Sequence, residues 1–481
     1  MNGETGDKPE SQKEKGKMKK RFFVRVLALT FGALLLLTSC SAEGGKGKID
    51  KNNNQPIVLE LPINEENSAA RESNGWIGFT EAMKKLAEKY QEQGKGKVEI
   101  RLVKNNAETR AKETPDVVLF DHIWTEIRPD LYHDMANGEY ADLADFMSRD
   151  QDYDENAYVE NVMAAGRLGS KQYILPLAYV LPTVFGDEST SAAQNTPGKA
   201  DLADYESFWS KAEGCKIDLF ANKWGYQDIP HDVSIVYGAG NFPNPERVAD
   251  GTNAEAFLRV LEVYRKQAKN PDYYQWISLD QPVTMWDVLA EKAALHYENL
   301  GGGYSYPLAI MENRMTDKKN AGFYYVGTEP NENMFYGAIP YTPGQTKEIR
   351  TAYVSAGFMI PAASEKQESA WNFIVWCMGQ QELYMNSDAY YYSFATHIDM
   401  IGKTLNAGLI EISDLYSTDL NKLVDEGKIL AEVTDVGYAY LSDQAAGKAL
   451  AEVMIQGSSE SAEQLYENLL AVYEKSGALF D

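Results

Sequence analysis

A chain of 481 residues with 46 Lys/Arg, 71 Asp/Glu and a net charge of −25 is too long for one compact core and suits two domains. The acidic balance argues against nucleic acid or an anionic bilayer surface as a partner, since either needs clustered positive charge. It favours solubility and weak self-association, and hence a monomer.

Residues 1–17 are polar and Lys/Glu-rich, and a second methionine, Met18, stands directly before the basic residues Lys19, Lys20, Arg21 and Arg25. Translation starts either at Met1 or at Met18. An apolar stretch from Val26 to Leu37 leads into Leu37-Thr38-Ser39-Cys40. A basic region, a short apolar region and small residues before a cut describe a secretory signal over residues 1–39. The apolar region is too short to span a bilayer permanently. Cys40 after Leu-Thr-Ser looks like a bacterial lipobox, whose thiol receives a diacylglyceryl group before cleavage. The alternative is an ordinary signal with a cysteine in its cleavage region. On the lipobox reading the mature protein begins at Cys40, with 38 basic against 67 acidic residues and a net charge of −29. It is then lipid-anchored on the extracytoplasmic face of the cell membrane, because two acyl chains hold where one binds marginally.

Residues 40–55 are mostly Gly, Lys and Asn and read as a flexible tether. Ile57-Val58-Leu59-Glu60-Leu61 has the length and apolar content of a strand. Phe79, Met83, Leu86 and Tyr90 follow at spacings of four, three and four, one face of a helix. Val98, Ile100 and Leu102 alternate with charges and predict a second strand. After Pro115, Asp116-Val117-Val118-Leu119-Phe120 reads as a buried parallel strand. Strand, helix, strand, strand points to a layered α/β domain. Further on, Ser364 with Gln367 predicts a capping box before the face Ala370, Phe373, Ile374 and Cys377. Ser461 with Gln464 repeats the device before Leu465, Leu469 and Val472, and Gly477 closes that helix. Of the two other cysteines, Cys215 and Cys377 could pair in an exported protein, but the apolar helical setting of Cys377 reads as a buried free thiol.

Catalytic signatures are absent: no Walker-type loop, His-Glu-x-x-His, Gly-x-Ser-x-Gly or closely spaced Cys/His set. The histidines His122, His133, His231, His296 and His397 never stand at i, i+4 from one another. No carboxylate pair stands out as a glycosidase acid and base. Gly301-Gly302-Gly303 has no Lys-Ser/Thr after it, so it is a poor phosphate cradle. Asp150-x-Asp152-x-Asp154-x-Asn156 superficially suits calcium, but Glu155 and Asn161 stand where a loop needs glycine and glutamate; a solvated acidic turn is the better reading. No metal or cofactor is expected. The chain instead carries 30 Tyr and 8 Trp. Flat aromatic faces with polar edges suit sugars, whose C–H faces need apolar contact and whose hydroxyls need hydrogen bonds. Ligands of open α/β sheets bind beyond the carboxyl ends of strands. Trp76, Asp121, His122 and Trp124 follow predicted strands, and Tyr179, Tyr237, Tyr297, Asn299 and Tyr304 are further candidates. Each aromatic could equally pack in a core or on the surface.

Several segments, in order, are similar to one family. They are the opening through Trp76, Pro115-Asp116-Val117-Val118, Tyr140-Ala141-Asp142-Leu143 and Tyr173-Ile174-Leu175-Pro176-Leu177. Glu291-Lys292-Ala293-Ala294-Leu295, Phe335-Tyr336-Gly337-Ala338-Ile339-Pro340, and Ser355-Ala356-Gly357-Phe358-Met359 through Ala370-Trp371-Asn372-Phe373-Ile374 follow, and Gly457 to Leu469 closes the series. The chain resembles the extracellular solute-binding proteins of ABC importers, in particular the maltose-binding-like carbohydrate binders. It departs from them at Tyr297-Glu298-Asn299 and Tyr304, where a Gly-Trp pair is common, and at Tyr390-Tyr391-Tyr392-Ser393-Phe394, where a crossing usually holds Gly and Pro. The resemblance implies an α/β, two-lobe periplasmic-binding-protein-like fold with a hinge and an interlobe ligand cleft. Lobe 1 would comprise 56–177 and 341–395, and lobe 2 178–340 and 396–481. It implies capture of a small-molecule ligand, a sugar and in particular an oligosaccharide, for delivery to importer permease subunits, with no catalysis by the chain itself. Two other readings share these features: a ligand-sensing lipoprotein serving a membrane receptor, and an exported carbohydrate-active enzyme.

Overall fold

The apolar run at Ile57 does form the inner strand of a sheet, and its neighbours in the sheet come from distant parts of the chain. The computed structural model describes residues 47–63, 79–104, 114–121, 131–187, 217–218, 295–303, 334–338, 351–380, 393–416, 419–420, 426–441 and most of 461–471. They belong to the unit Ile49–Asp481, apart from residues 47 and 48. Strand β1 (Ile57–Ile63) is followed by helix α1 (Phe79–Glu92) and pairs in parallel with β2 (Val98–Lys104) and β3 (Val117–Asp121). A parallel pair needs a crossover, and α1 supplies it. Met83, Leu86 and Tyr90 are buried as their spacing predicts, with Tyr90 edge-on to Phe373 at 5.1 Å. Val117 to Phe120 are all buried, as expected of a doubly covered strand. β2 is the outer strand, and its predicted alternation holds only in part: Val98 is buried, Leu102 is 40% exposed and Val103 is buried instead.

Helices α2 (Leu131–Ala136), α3 (Leu143–Arg149) and α4 (Glu160–Ala164) follow, then a hairpin of β4 (Arg167–Leu168) and β5 (Lys171–Gln172). Asp142 caps α3 by accepting the Ala144 N–H at 3.0 Å. The organising strand is β6 (Leu175–Asp187), thirteen residues long. Around it gather β7 (Ile217–Asp218), β8 (Leu295–Leu300), β9 (Met334–Ala338) and β10 (Thr351–Met359). Helix α5 (Gln367–Met378), β11 (Phe394–Ala395), α6 (Ile398–Tyr416), α7 (Glu426–Thr434) and β12 (Tyr438–Leu441) complete the order. The first half of β6 pairs with β10 on one edge and β11 on the other; its second half pairs with β8 and β9. The family-like segments near Leu175, Phe335 and Phe394, where the two-lobe architecture expects the chain to cross between lobes, are thus all on or against one strand. β10 also joins β3, so the sheet runs without interruption from β2 to β7.

Two expectations need correction. Residues 49–55, read as part of the tether, are docked: Ile49 is buried, and Asn53 and Gln55 bond the Ser369 hydroxyl. The Ser364/Gln367 capping box does not form. The Ser364 hydroxyl donates to buried Asp116 at 2.7 Å and accepts the Lys366 N–H, while Gln367 reaches back to the Ala362 carbonyl. Asp116 also accepts the Val58 N–H and a Lys366 ammonium contact at 3.2 Å. A buried carboxylate needs such donors more than a solvated helix end needs its cap, so α5 starts three residues after Ser364. Near Ser461 the cap bond does form, with Gln464 N–H donating to its hydroxyl at 3.3 Å. Cys377 is a buried free thiol, and burial lifts its pKa well above the ordinary range, which makes it inert. Cys215 lies outside the described residues. No helix among the described residues is long and apolar enough to cross a membrane.

Candidate functional site

Strands β1 and β3 run parallel, so their last residues, Ile63 and Asp121, lie toward the same edge of the sheet. Asp121 pairs with Ala356 on β10, and Ala356 pairs with Ala178 on β6, which in turn pairs with Ala395 on β11. Two alanines, Ala356 and Ala178, therefore stand between Asp121 and Ala395 on the far side of β6. Further along β6, Pro182 pairs with Asn299 and Val184 with Tyr297. At about 3.3 Å per residue, Ala178 and Pro182 stand roughly 13 Å apart along the strand. One continuous strand thus links the two candidate groups: Asp121 is reached from its first half through β10, and Tyr297 and Asn299 pair with its second half. Trp76, His122, Trp124, Tyr237, Tyr304 and the lipidation candidate Cys40 lie outside the described residues.

Tyr179 is where the expectation is corrected. It is fully buried, its ring sits 5.5 Å from that of Phe394, and its hydroxyl donates to the Val433 carbonyl at 2.8 Å. Its apolar faces and its polar tip are both committed to the protein, so it is a core residue.

The crossings are tied by buried polar contacts that no local pattern announces. The Ser355 and Ser393 hydroxyls meet at 2.9 Å, joining β10 to the residue before β11. Gly302 N–H donates to the Ser393 carbonyl at 2.9 Å, and the Thr396 hydroxyl to the Pro176 carbonyl at 2.9 Å. The glycine run after β8 is therefore a packing device. A Cβ on Gly302 would come within 3.2 Å of the Thr404 hydroxyl, and one on Gly408 within 1.9 Å of the Gly303 carbonyl oxygen. Val159 N–H donates to the Thr396 carbonyl and Asn161 Nδ2 to the Val436 carbonyl, at 3.0 and 2.6 Å. Beside them the His397 ring stands edge-on to Tyr158 at 5.1 Å, and its Nδ1 has no hydrogen-bond partner among the described residues. Burial lowers the His397 pKa, against the attraction of Asp399, so the ring is neutral at pH 7.

The acidic turn takes its cation from the chain itself. Lys51 Nζ lies 2.6 Å from Asp150 Oδ2 and 3.8 Å from Asp152 Oδ2. Asp150 also accepts Trp371 Nε1–H at 2.8 Å and the Asp152 N–H at 3.0 Å, while Asp154 caps the following turn. Among the described residues no group of three or more His, Cys, Asp or Glu could hold a metal. Lys51 was missed because its partner is 99 residues away; the one available signal was Ile49, an apolar residue in a polar segment.

Burial alone would raise the Asp150 pKa, but the bonds from Lys51, Trp371 and the Asp152 amide outweigh it and bring it below the usual carboxylate value. A depressed folded pKa contributes stability above the unfolded value of about 4, lost as pH falls through the folded pKa. Wild type should therefore lose its melting-temperature advantage over Asp150→Asn as pH drops from 7 to 3. A pH-independent difference would remove Asp150 as the titrating group.

A family model for bacterial extracellular solute-binding proteins matches residues 85–396. No curated protein is similar enough in sequence to count as a relative. Among solved structures, the bacterial solute receptor AcbH, with an exclusive preference for β-D-galactopyranose, is 13% identical with a TM-score of 0.53, over 89% of this chain and 98% of that one. A sugar transporter protein of Rhizobium etli, in an open conformation, is 13% identical with a TM-score of 0.52, over 87% and 99%. At these identities the likeness concerns the fold, which is the two-lobe α/β architecture of such receptors.

Proposed function

The chain belongs to the bacterial extracellular solute-binding proteins, which bind and do not catalyse, and from that premise we propose that it captures a sugar, in particular an oligosaccharide, and delivers it to an ABC importer permease. The observation that carries this reading is the span of the family match, 85–396, which takes in β6, β9 and β11 and ends one residue past the last of them. In our reading lobe 1 comprises 56–177 and 341–395, and lobe 2 178–340 and 396–481, with the docked residues 49–55 added to lobe 1. Hinge residues in the crossings absorb the backbone change on closure. Contacts from both lobes make the closed form dominant once ligand binds. Lobe 1 contributes Trp76, Asp121, His122 and Trp124; lobe 2 contributes Tyr237, Tyr297, Asn299 and Tyr304. The aromatic content and the sugars taken by the two structural relatives favour a carbohydrate. Residues 1–39 are removed and Cys40 carries the lipid, which places the protein on the extracytoplasmic face of the membrane.

A thermal-shift screen against mono- and oligosaccharides tests the ligand class, because a ligand bound only by the native state raises apparent stability. Burying an aromatic face is worth about 1–3 kcal/mol, or roughly five- to a hundredfold in affinity. Trp76→Ala, Trp124→Ala and Tyr304→Ala should each weaken binding of the sugar found by that amount, with little change in melting temperature. If all three melt early yet bind normally once folded, they are core residues and the site lies elsewhere.

A further inference from the structure

The segment between the acylated cysteine and β1 is short, and half of it is built into the folded body. Ile49 is 8% exposed and belongs to the hydrophobic core. The Asp50 carbonyl accepts Asn372 Nδ2 at 2.9 Å. Lys51 grips Asp150, whose side chain is fully buried. The Asn53 carbonyl and side-chain oxygens accept the Ser369 hydroxyl at 3.1 and 2.8 Å, and Gln55 N–H donates to that same hydroxyl at 3.2 Å. Ser369 and Asn372 are both on α5, and Asp150 ends α3. Five anchor points of this kind within seven residues do not describe a linker. They describe a strap, fastened along two helices before the chain enters the sheet.

We propose that Ile49–Gln55 is a mooring strap that turns one side of the lipid-anchored protein, the side formed by the end of α3 and the start of α5, toward the membrane. The inference rests on the lipid-anchor reading of Cys40. Fifteen residues, 41–55, would let a free tether reach about 50 Å at roughly 3.4 Å per residue. With the strap docked, only Ser41 to Lys48 remain, and the reach falls to about 30 Å. Every strap partner named here belongs to the residues assigned to lobe 1. The mooring therefore holds one lobe and leaves the other free to swing on closure, so a ligand-driven hinge motion is converted into a movement relative to the membrane and the permease within it.

The test uses the acylated protein isolated from membranes, with Cys215 replaced by serine and Glu155→Cys, an exposed position near Asp150, carrying a donor dye. It is reconstituted into phosphatidylcholine vesicles with an acceptor-labelled lipid. Partition is measured first: a protein that fails to enter vesicles overturns the anchor reading. Energy transfer is then compared among the wild-type strap, a strap-only variant (Ile49→Ser, Lys51→Ser, Asn53→Gly), and a protein with eight Gly/Ser residues inserted between Lys48 and Ile49. The insertion keeps every strap contact, whereas the strap-only variant also removes Ile49 from the core and Lys51 from Asp150; both should lower transfer by at least twofold. In a separate hydrogen-exchange measurement, the amides of residues 52–55 should be protected in wild type and in the insertion variant but not in the strap-only variant. Equal transfer in all three, with partition intact, overturns the mooring. Unprotected amides in wild type overturn the docked strap itself, whatever the vesicles show.

Discussion

Replacing Trp371 with alanine should cost about 3–5 kcal/mol of folding stability, near the upper end for a core truncation. The indole is fully buried and among the largest side chains with no solvent contact. It stacks on Phe146 at 5.8 Å and 25°, lies tilted against Tyr153 at 5.5 Å, and donates its N–H to Asp150. Alanine removes the packing and leaves Asp150 without one of the donors that balance its burial. Trp371→Phe keeps a six-membered ring but loses the N–H and part of the indole's volume, so its cost should be smaller, about 1–3 kcal/mol. Denaturant unfolding of both variants checks this. Ligand affinity of the folded fraction should not change in either, the opposite of what is expected for Trp124→Ala. A loss under 1 kcal/mol for the alanine variant would mean that this part of the core does not pack as described.

The comparison of Trp371 with its neighbours shows what a sequence conveys and what it withholds. The apolar periodicity of Met83, Leu86 and Tyr90 located α1, and the unbroken run from Val117 to Phe120 located a buried strand, because each signal is contained within a few residues. Crossing segments were found through family-like motifs, and β6 brings them together. The failures share a different cause. Ser364 sits in a good capping pattern, but Asp116, 248 residues away, takes its hydroxyl. Lys51 and Asn53 look like linker, but their partners are Asp150 and Ser369. Tyr179 looks like a strand-end aromatic, but Val433 satisfies its hydroxyl and Phe394 covers its ring. A side chain's nature is local, whereas whether its polar group is already satisfied depends on the whole fold. Of the candidate site, the structure moves Tyr179 into the core and brings Asp121, Tyr297 and Asn299 onto strands of one sheet, while the other candidates lie outside the described residues.

Gly408→Val should be the most damaging change to the joint between the strand ends and α6. A Cβ at this position would lie 1.9 Å from the Gly303 carbonyl oxygen, 2.6 Å from its carbon and 3.0 Å from its Cα. These are backbone atoms, so no side chain can rotate away; α6 or the glycine turn must shift bodily. Overpacking of this kind costs about 1–3 kcal/mol, and valine's two further methyls push it to the upper end or beyond. Gly408→Ala should be milder, since alanine recovers about 1 kcal/mol of helix propensity against the same clash. The order Gly408→Val, then Gly408→Ala, then wild type should appear in melting temperature. The functional consequence follows from what lies beside the joint. Gly302 N–H bonds Ser393, the Ser393 hydroxyl bonds Ser355, and Thr396 bonds the Pro176 carbonyl, so displacing the glycine turn pulls directly on the crossing at β11. In the proposed two-lobe clamp that pull alters closure, so Gly408→Ala should change sugar affinity as well as stability. Calorimetry with the sugar identified by thermal shift separates the two effects. Wild-type affinity in a destabilised Gly408→Ala protein would confine the joint to a structural role, and unaltered stability in Gly408→Val would mean that Gly303 and Gly408 are not in contact.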